Sequence, residues 1–363
     1  MIRRRAFLAS LLAAGAAPSL SWADAGSPAY LAAAREGDGG FALFGLDRGG
    51  ASTFRVPLPA RGHAGAGHPT RAEAVAFARR PGAYALVLDC VQGAVLHRLT
   101  PPEGRQFNGH GVYAQGGAVL FTAEQASADS AGVVGVWDVE AGYRRIGEFA
   151  TGGIGPHDLR LMPDARTLVV ANGGIATDPT DRTKLNIPQM RPNLSYLDLT
   201  GALLDQVELA PDLHRNSIRH LALRDDGLVG FAMQWEGDEG AATPLLGLHR
   251  RGASPLLAEA PLGDELLMRG YAGSIAFAGD GAELAISSPR GGRLHRFSDG
   301  GDFLGAVPRA DVCGLASLDA GYLASDGLGG LIAVTPEGAR ALARHPVAWD
   351  NHIVALAGGT RPF

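Results

Sequence analysis

Cysteine is scarce in this chain: Cys90 and Cys313 are the only two among 363 residues. Two thiols cannot staple a fold of this size, although an oxidising compartment would permit one bridge between them. Past its first residues the chain has no basic block or stripe, and its formal charge is −5, which argues against nucleic acid as a partner. No later apolar run approaches the roughly 18 residues of a membrane span. No sustained 3.6-residue periodicity marks long helices. Several catalytic signatures are also missing: the Gly-x-Ser-x-Gly elbow, the phosphate-binding loop, the dinucleotide fingerprint, the Cys-x-x-Cys-His haem site and the His-Glu-x-x-His zinc motif.

What is present begins with an export signal. Arg3, Arg4 and Arg5 precede an apolar run to Ala17, and Ser21-Trp22-Ala23 offers a small-x-small processing site. Residues 1–23 are therefore set apart from the folded domain, read as residues 24–363. The order Arg4-Arg5-x-Phe7-Leu8 fits the twin-arginine route, which exports proteins already folded, although a general secretion signal carrying arginines reads similarly. Removing three arginines from −5 leaves the mature part near −8.

With 52 glycines, 22 prolines and 46% hydrophobic residues, the chain reads as many short strands joined by tight turns. One motif, a short apolar segment after a glycine or polar residue, recurs seven times. The segments start at Ala72, Gly109, Pro156, Arg219, Gly273, Cys313 and Asn351, and comparable points lie about 36 to 63 residues apart. Most lead into further β-rich runs such as 84–89, 118–122, 167–171 and 228–233. The pattern predicts an all-β, seven-bladed β-propeller. The last motif has no strands after it, while strands over 30–34, 41–47 and 52–57 precede the first. Pairing of these N-terminal strands with the C-terminal strand would close the ring and remove its edges. Two stacked sandwiches are the alternative.

The first strand of a propeller blade lines the channel. Aligning the motifs places Ala74, His110, His157, His220, Ser274, Gly314 and His352 at one equivalent position. Four of these seven are histidine, in a chain with only 11. The three on consecutive blades would be neighbours, with His352 facing them across the ring. Neutral imidazoles sharing a small volume suit zinc, copper, iron or nickel. The alternative is that each satisfies a backbone carbonyl beside a wet channel. Loops after each second strand should surround the same mouth, and they begin at polar positions including Glu124, Asn172 and Arg290. The longest, residues 173–193, reads as a packed lid carrying Arg182, Lys184 and Arg191. Those cations could meet an anionic ligand or simply be solvated. His63 could add a ligand or cover the channel. Asp158, Arg219 and Asp350 could orient the histidines or form structural ion pairs. Cys313 reads more as a small buried hydrophobe than as a soft metal ligand.

The strings Gly109–Tyr113, Gly155–Leu161, Ala171–Asp198, Ser217–Leu223, Ser288–Gly292 and Trp349–His352 resemble a bacterial family catalogued as domain of unknown function 1513. The resemblance covers about residues 28–360, and Ala171–Asp198 is its most specific part. It implies a periplasmic seven-bladed propeller with a twin-arginine signal, associated with imelysin-type iron-uptake proteins and a di-haem oxidoreductase-like protein. It carries over no settled reaction. The matching residues are His110, His157, His220 and His352, with Asn172, Arg182, Lys184, Asn186 and Arg290 as companions. The expected function is metal binding, iron or copper with zinc as a third option, in iron uptake or associated redox handling alongside periplasmic partners. Two alternatives stand beside it. One is a metal-dependent or His-based enzyme of oxidoreductase, lactonase or lyase type, and the other is a non-catalytic interaction platform.

Overall fold

The computed structural model describes residues 20–80, 82, 84–238 and 240–356, so residues 1–19 of the signal read over residues 1–23 lie outside the described residues. Twenty-eight strands form seven four-stranded antiparallel sheets arranged as a ring, a seven-bladed β-propeller. The C-terminal strand β28 (Val347–Ala355) is the innermost strand of the closing blade. It pairs antiparallel with β1 (Tyr30–Glu36), and β2 (Phe41–Leu46) and β3 (Ser52–Leu58) complete that sheet outward. The expected closure is thus present. Tyr30 strengthens it by donating its hydroxyl hydrogen bond to the Ser317 carbonyl of the adjacent blade at 2.8 Å.

The strands grade from core to rim. Second and third strands carry continuous apolar runs because both of their faces meet neighbouring blades. The strand β13 (Thr167–Asn172) is buried at every position, whereas the outermost β7 (Ala94–Leu99) is exposed at all but one. Each interblade layer is a separate apolar cluster. One joins Val169, Tyr196, Val229 and Phe231 across two blades. Burying each such large side chain contributes about 1.5–3 kcal/mol.

One assignment needs correction. In the first full blade the channel strand is β4 (Gly62–Gly67), and β5 (Glu73–Ala78), which carries Ala74, is the second strand. Strand β4 reads GHAGAG. Three glycines and no large apolar residue give it no β signal in sequence. It forms because it is enclosed between β5 and the channel, where small residues fit.

Residues 20–22 belong to the packed structure. Trp22 sits against the first apolar cluster and donates its ring N–H to the His68 carbonyl at 2.8 Å, while the Leu20 carbonyl accepts from the Ala72 amide at 2.8 Å. The small-x-small site at 21–23 therefore lies within a segment that contributes to the blade. Among the described residues no helix is long and apolar enough to cross a membrane.

Candidate metal centre

Five innermost strands each bring one histidine to the channel. They are β28, β4, β8 (Arg105–Ala114), β12 (Pro156–Leu161) and β16 (Asn216–Leu223). These belong to five consecutive blades, so His352, His63, His110, His157 and His220 follow one another around the ring. His63 stands between His352 and His110, while His352 also meets His220 from the far side of the channel, 4.8 Å between centroids. The remaining two channel positions are filled by Ser274 and Gly314.

The backbone explains why these residues point inward. Each histidine lies in or beside a register shift between its strand and the second strand of the blade, at Gly62/Gly65, Phe107/Gly111, Pro156/Asp158, Ile218/His220 and opposite Ala32/Ala34. An extra residue in an antiparallel ladder bends the strand and re-aims its side chain. The strand bearing Ser274 pairs without interruption. Gly109 adopts φ +97°, and a β-carbon there would lie 2.4 Å from Cδ2 of His63, so glycine makes room for that ring.

The rings form a compact group. Centroids lie 4.6 Å apart for His63–His352, 4.9 Å for His110–His352, 5.0 Å for His63–His110 and 5.1 Å for His110–His157. One nitrogen from each of His63, His110, His157 and His352 falls within 4.8 Å of the other three. Two nitrogens on opposite sides of one transition metal are about 4.1 Å apart, at about 2.05 Å from the ion. The rings would have to draw inward from this spacing to bring all four nitrogens onto one ion. His220 stands outside this tight set but against it, 4.7 Å from His157 and 4.8 Å from His352 between centroids.

All five rings are buried, and each has one buried nitrogen without a protein partner: Nδ1 of His63, His157 and His220, and Nε2 of His110 and His352. Buried polar atoms are nearly always partnered, so five orphans at one place mark a site for a ligand. Asp158 fixes one donor. Its Oδ1 lies 3.1 Å from Nδ1 of His110, which sets the tautomer and leaves Nε2 free to coordinate. Oδ2 of Asp158 accepts from the Leu221 amide at 3.0 Å. Burial pushes the Asp158 carboxyl up, but Arg160 and His110 outweigh it and hold the group anionic. Burial first, and the neighbouring imidazoles second, press His63, His157 and His352 well below the usual histidine range and His220 down to about 3. These four imidazoles are therefore neutral at pH 7, as metal ligands must be.

Above the histidines the channel opens into a cavity of about 200 Å³ whose floor includes His63, His157 and His220. The 173–193 segment folds over this mouth. Ser217 donates to the Gly173 carbonyl at 2.7 Å, Gln106 donates to the Pro179 carbonyl at 3.1 Å, and Lys184 pairs with Glu236, so the segment is tied to both flanking blades. Ile175 and Met190 are buried beneath it.

The sequence profile of a family described as "Protein of unknown function (DUF1513)" matches residues 56–356. The chain belongs to the DUF1513 family. No curated protein matches it. Among solved structures it is similar to Kuenenia stuttgartiensis hydrazine synthase, at 14% identity and a TM-score of 0.59, covering 84% of this chain and 89% of that one. At that identity the likeness concerns the propeller fold alone.

The remaining candidate residues of this DUF1513 propeller separate into two groups. Arg182, Lys184, Arg219 and Arg290 line the cavity. Asp350 accepts from Arg61 at 2.6 Å beside His352. The others serve the frame. Asn172 is fully buried, accepts from Thr151 at 2.7 Å and donates to Asn193 at 2.8 Å. Asn186 closes the long loop on itself, accepting from the Ala176 amide at 2.7 Å and donating to the Gly174 carbonyl at 3.0 Å. Arg191 points away, to Glu208 at 2.8 Å. Cys90 and Cys313 are free and buried in different apolar clusters.

Glu124 is not at the mouth. The strand β9 (Val119–Ala126) runs past it, and its side chain turns between blade faces to meet Arg145 at 2.8 and 3.0 Å. Glu124 is fully buried and Arg145 partly so. Glu124→Ala would leave Arg145 paired with Glu148 alone, at 2.8 Å, and would remove a fully buried hydrogen-bonded group, so we expect a loss of about 1–3 kcal/mol in chemical denaturation, with metal binding by the folded fraction unchanged.

His63 is the member of the cluster that the repeat pattern undervalues. The signal was present: Gly62-His63 matches Gly109-His110, one residue after a glycine.

Proposed function

We propose that this protein is a periplasmic metal-binding propeller of iron uptake or its associated redox handling, with iron or copper held by the channel histidines. The observation that carries this reading is the convergence of five buried imidazoles, each with an unpartnered nitrogen, four of which bring one nitrogen apiece within 4.8 Å of the others. An all-nitrogen set of neutral imidazoles fits copper, iron, zinc or nickel. Intrinsic affinity alone would favour copper over iron, so availability where the chain folds decides which ion is loaded. Export of the folded protein by a twin-arginine route would allow loading before the periplasm is reached. The iron context rests on what the family resemblance implies.

The test is metal analysis of protein exported by its own signal and purified from the periplasm. Close to one iron or copper per chain is expected, absent when His63, His110, His157 and His352 are all replaced by alanine. Metal-free protein that also fails to bind added Fe(II), Cu or Zn below micromolar concentration would overturn the reading. A second reading, an enzyme, is favoured by one feature: the cavity opens directly onto His63, His157 and His220, where a substrate could meet a metal or a general base.

A further inference from the structure

The cavity above the histidines has a charge pattern that the metal site does not require. Six cationic side chains line it: Arg79, Arg80, Arg182, Lys184, Arg219 and Arg290. They come from four blades and, among the described residues, face a single lining carboxylate, Glu236. Lys184 already pairs with Glu236, and Arg219 stands 3.8 Å from the other oxygen of that carboxylate. The guanidinium groups of Arg79, Arg80 and Arg182 have no hydrogen-bond or ion-pair partner among the described residues. Arg290 rests on the ring of Tyr271, 4.4 Å from its centroid.

Arg219 is the decisive member. Its side chain is only 7% exposed, and its Nε has no partner. It is the extra residue in the register shift between Ile218 and His220, so the device that turns His220 into the channel also delivers Arg219 to the cavity. Burying cations beside one another without compensating anions is costly. Burial, with Arg219, Arg182 and Arg79 adding to it, pushes the Arg80 guanidinium down to about 9. A fold that assembles such charges in a concave, partly enclosed space is complementary to an anion that enters it.

We infer that this cavity is a receptor for a small carboxylate-bearing anion of two or more charges. Guanidinium forks match carboxylate oxygens in pairs, and five of them exceed what one monoanion neutralises. The space, about 200 Å³, also exceeds a single tetrahedral oxyanion, since each water-sized group takes roughly 30 Å³. The enclosure excludes a polymer. Because the floor is His63, His157 and His220, an anion seated here touches the histidine cluster. The receptor rests on the arginines, so it stands whether or not the histidines hold a metal.

The probes are citrate and succinate, with inorganic phosphate and the neutral ester triethyl citrate as comparisons, titrated calorimetrically into metal-free full-length mature protein. Citrate should bind at least tenfold more tightly than phosphate, more weakly as salt rises, and the ester should not bind. Arg182→Ala with Arg290→Ala, both in loops at the mouth, should weaken citrate at least tenfold while leaving the melting temperature unchanged. Lys184 is the only lysine in the chain, so its acetylation, followed by peptide mass spectrometry, gives a second readout and should slow when citrate is bound. The variant lacking the four clustered histidines should still bind citrate, which separates this site from the metal reading. The inference is overturned if neither carboxylate binds at millimolar concentration. Equal binding by the double arginine variant, preference for phosphate, or binding only after metal is loaded would overturn it equally.

Discussion

Replacing His63 with alanine is expected to abolish tight metal binding, whereas replacing His220 should weaken it by less than about tenfold. The two residues look alike in sequence, and the alignment of motifs favours His220. Geometry reverses the order. The nitrogens of His63, His110, His157 and His352 lie within 4.8 Å of one another, and His220 packs beside that set. Loss of a ligand from a four-nitrogen set should cost at least 100-fold in affinity, because outer-shell changes alone typically cost 10–100-fold. Asp158→Asn, which removes the charged acceptor holding His110 Nδ1, should fall in that smaller range. Gly109→Ala should mimic loss of His63 without touching a ligand, since its β-carbon would strike that ring and its φ of +97° strains any other residue. Competition titrations with a chromophoric chelator check all four variants. A larger loss for His220→Ala than for His63→Ala would place the ion lower in the channel and assign His220 as a ligand.

The case of His63 shows how the sequence carries this structure. Apolar runs such as Thr167–Asn172 are legible because a strand buried on both faces must be continuously apolar. Seven such units and complementary termini were enough to specify the ring and its closure. The strand Gly62–Gly67 was not legible, because it is held by its neighbours and not by its own propensity. Missing it shifted the first blade by one strand and placed Ala74 where His63 belongs. Glu124 failed for a related reason. A polar residue after an apolar run reads as a loop, yet an arginine 21 residues later lets it stay inside the blade. The cationic cavity was half legible. Arg182 and Lys184 announced themselves in a long loop, but Arg79, Arg80 and Arg290 meet them only because the ring brings four blades together.

The metal-free protein should lose stability steeply as pH falls from 7 to 5. Burial and mutual repulsion hold His63, His157 and His352 well below the ordinary value of 6.5, and His220 near 3. In the unfolded chain each protonates near 6.5. Below that pH the unfolded state binds more protons than the folded one, so stability rises with pH through this window and drains away as pH falls. Each such group contributes a slope of up to about 1.4 kcal/mol per pH unit once the unfolded histidine is protonated. Four acting together reach several kcal/mol per unit, against a total stability of about 5–15 kcal/mol. Other groups do not cancel the trend. Burial raises the Glu265 carboxyl to about 7, so the folded state holds that proton and gains stability as pH falls from 7 toward the unfolded value near 4.3. That opposes the histidines, as do Glu124 and Asp311, which burial also raises, but these three carboxyls face seven lowered histidines. Asp158 is held below its ordinary value, so its contribution is present above about 3.9 and is lost only beneath it, outside the window. Thermal melts between pH 5 and 8 should therefore show a falling midpoint on the acid side. His68, His249 and His295 are also held below the ordinary value, so a His157→Gln, His220→Gln double variant should lessen the fall by less than half, and bound metal should shift it to lower pH because the ion competes with protons for the cluster nitrogens. A midpoint that stays level from pH 8 to 5 would mean that the rings accept protons in the folded state, and that the cluster is wetter than its burial indicates.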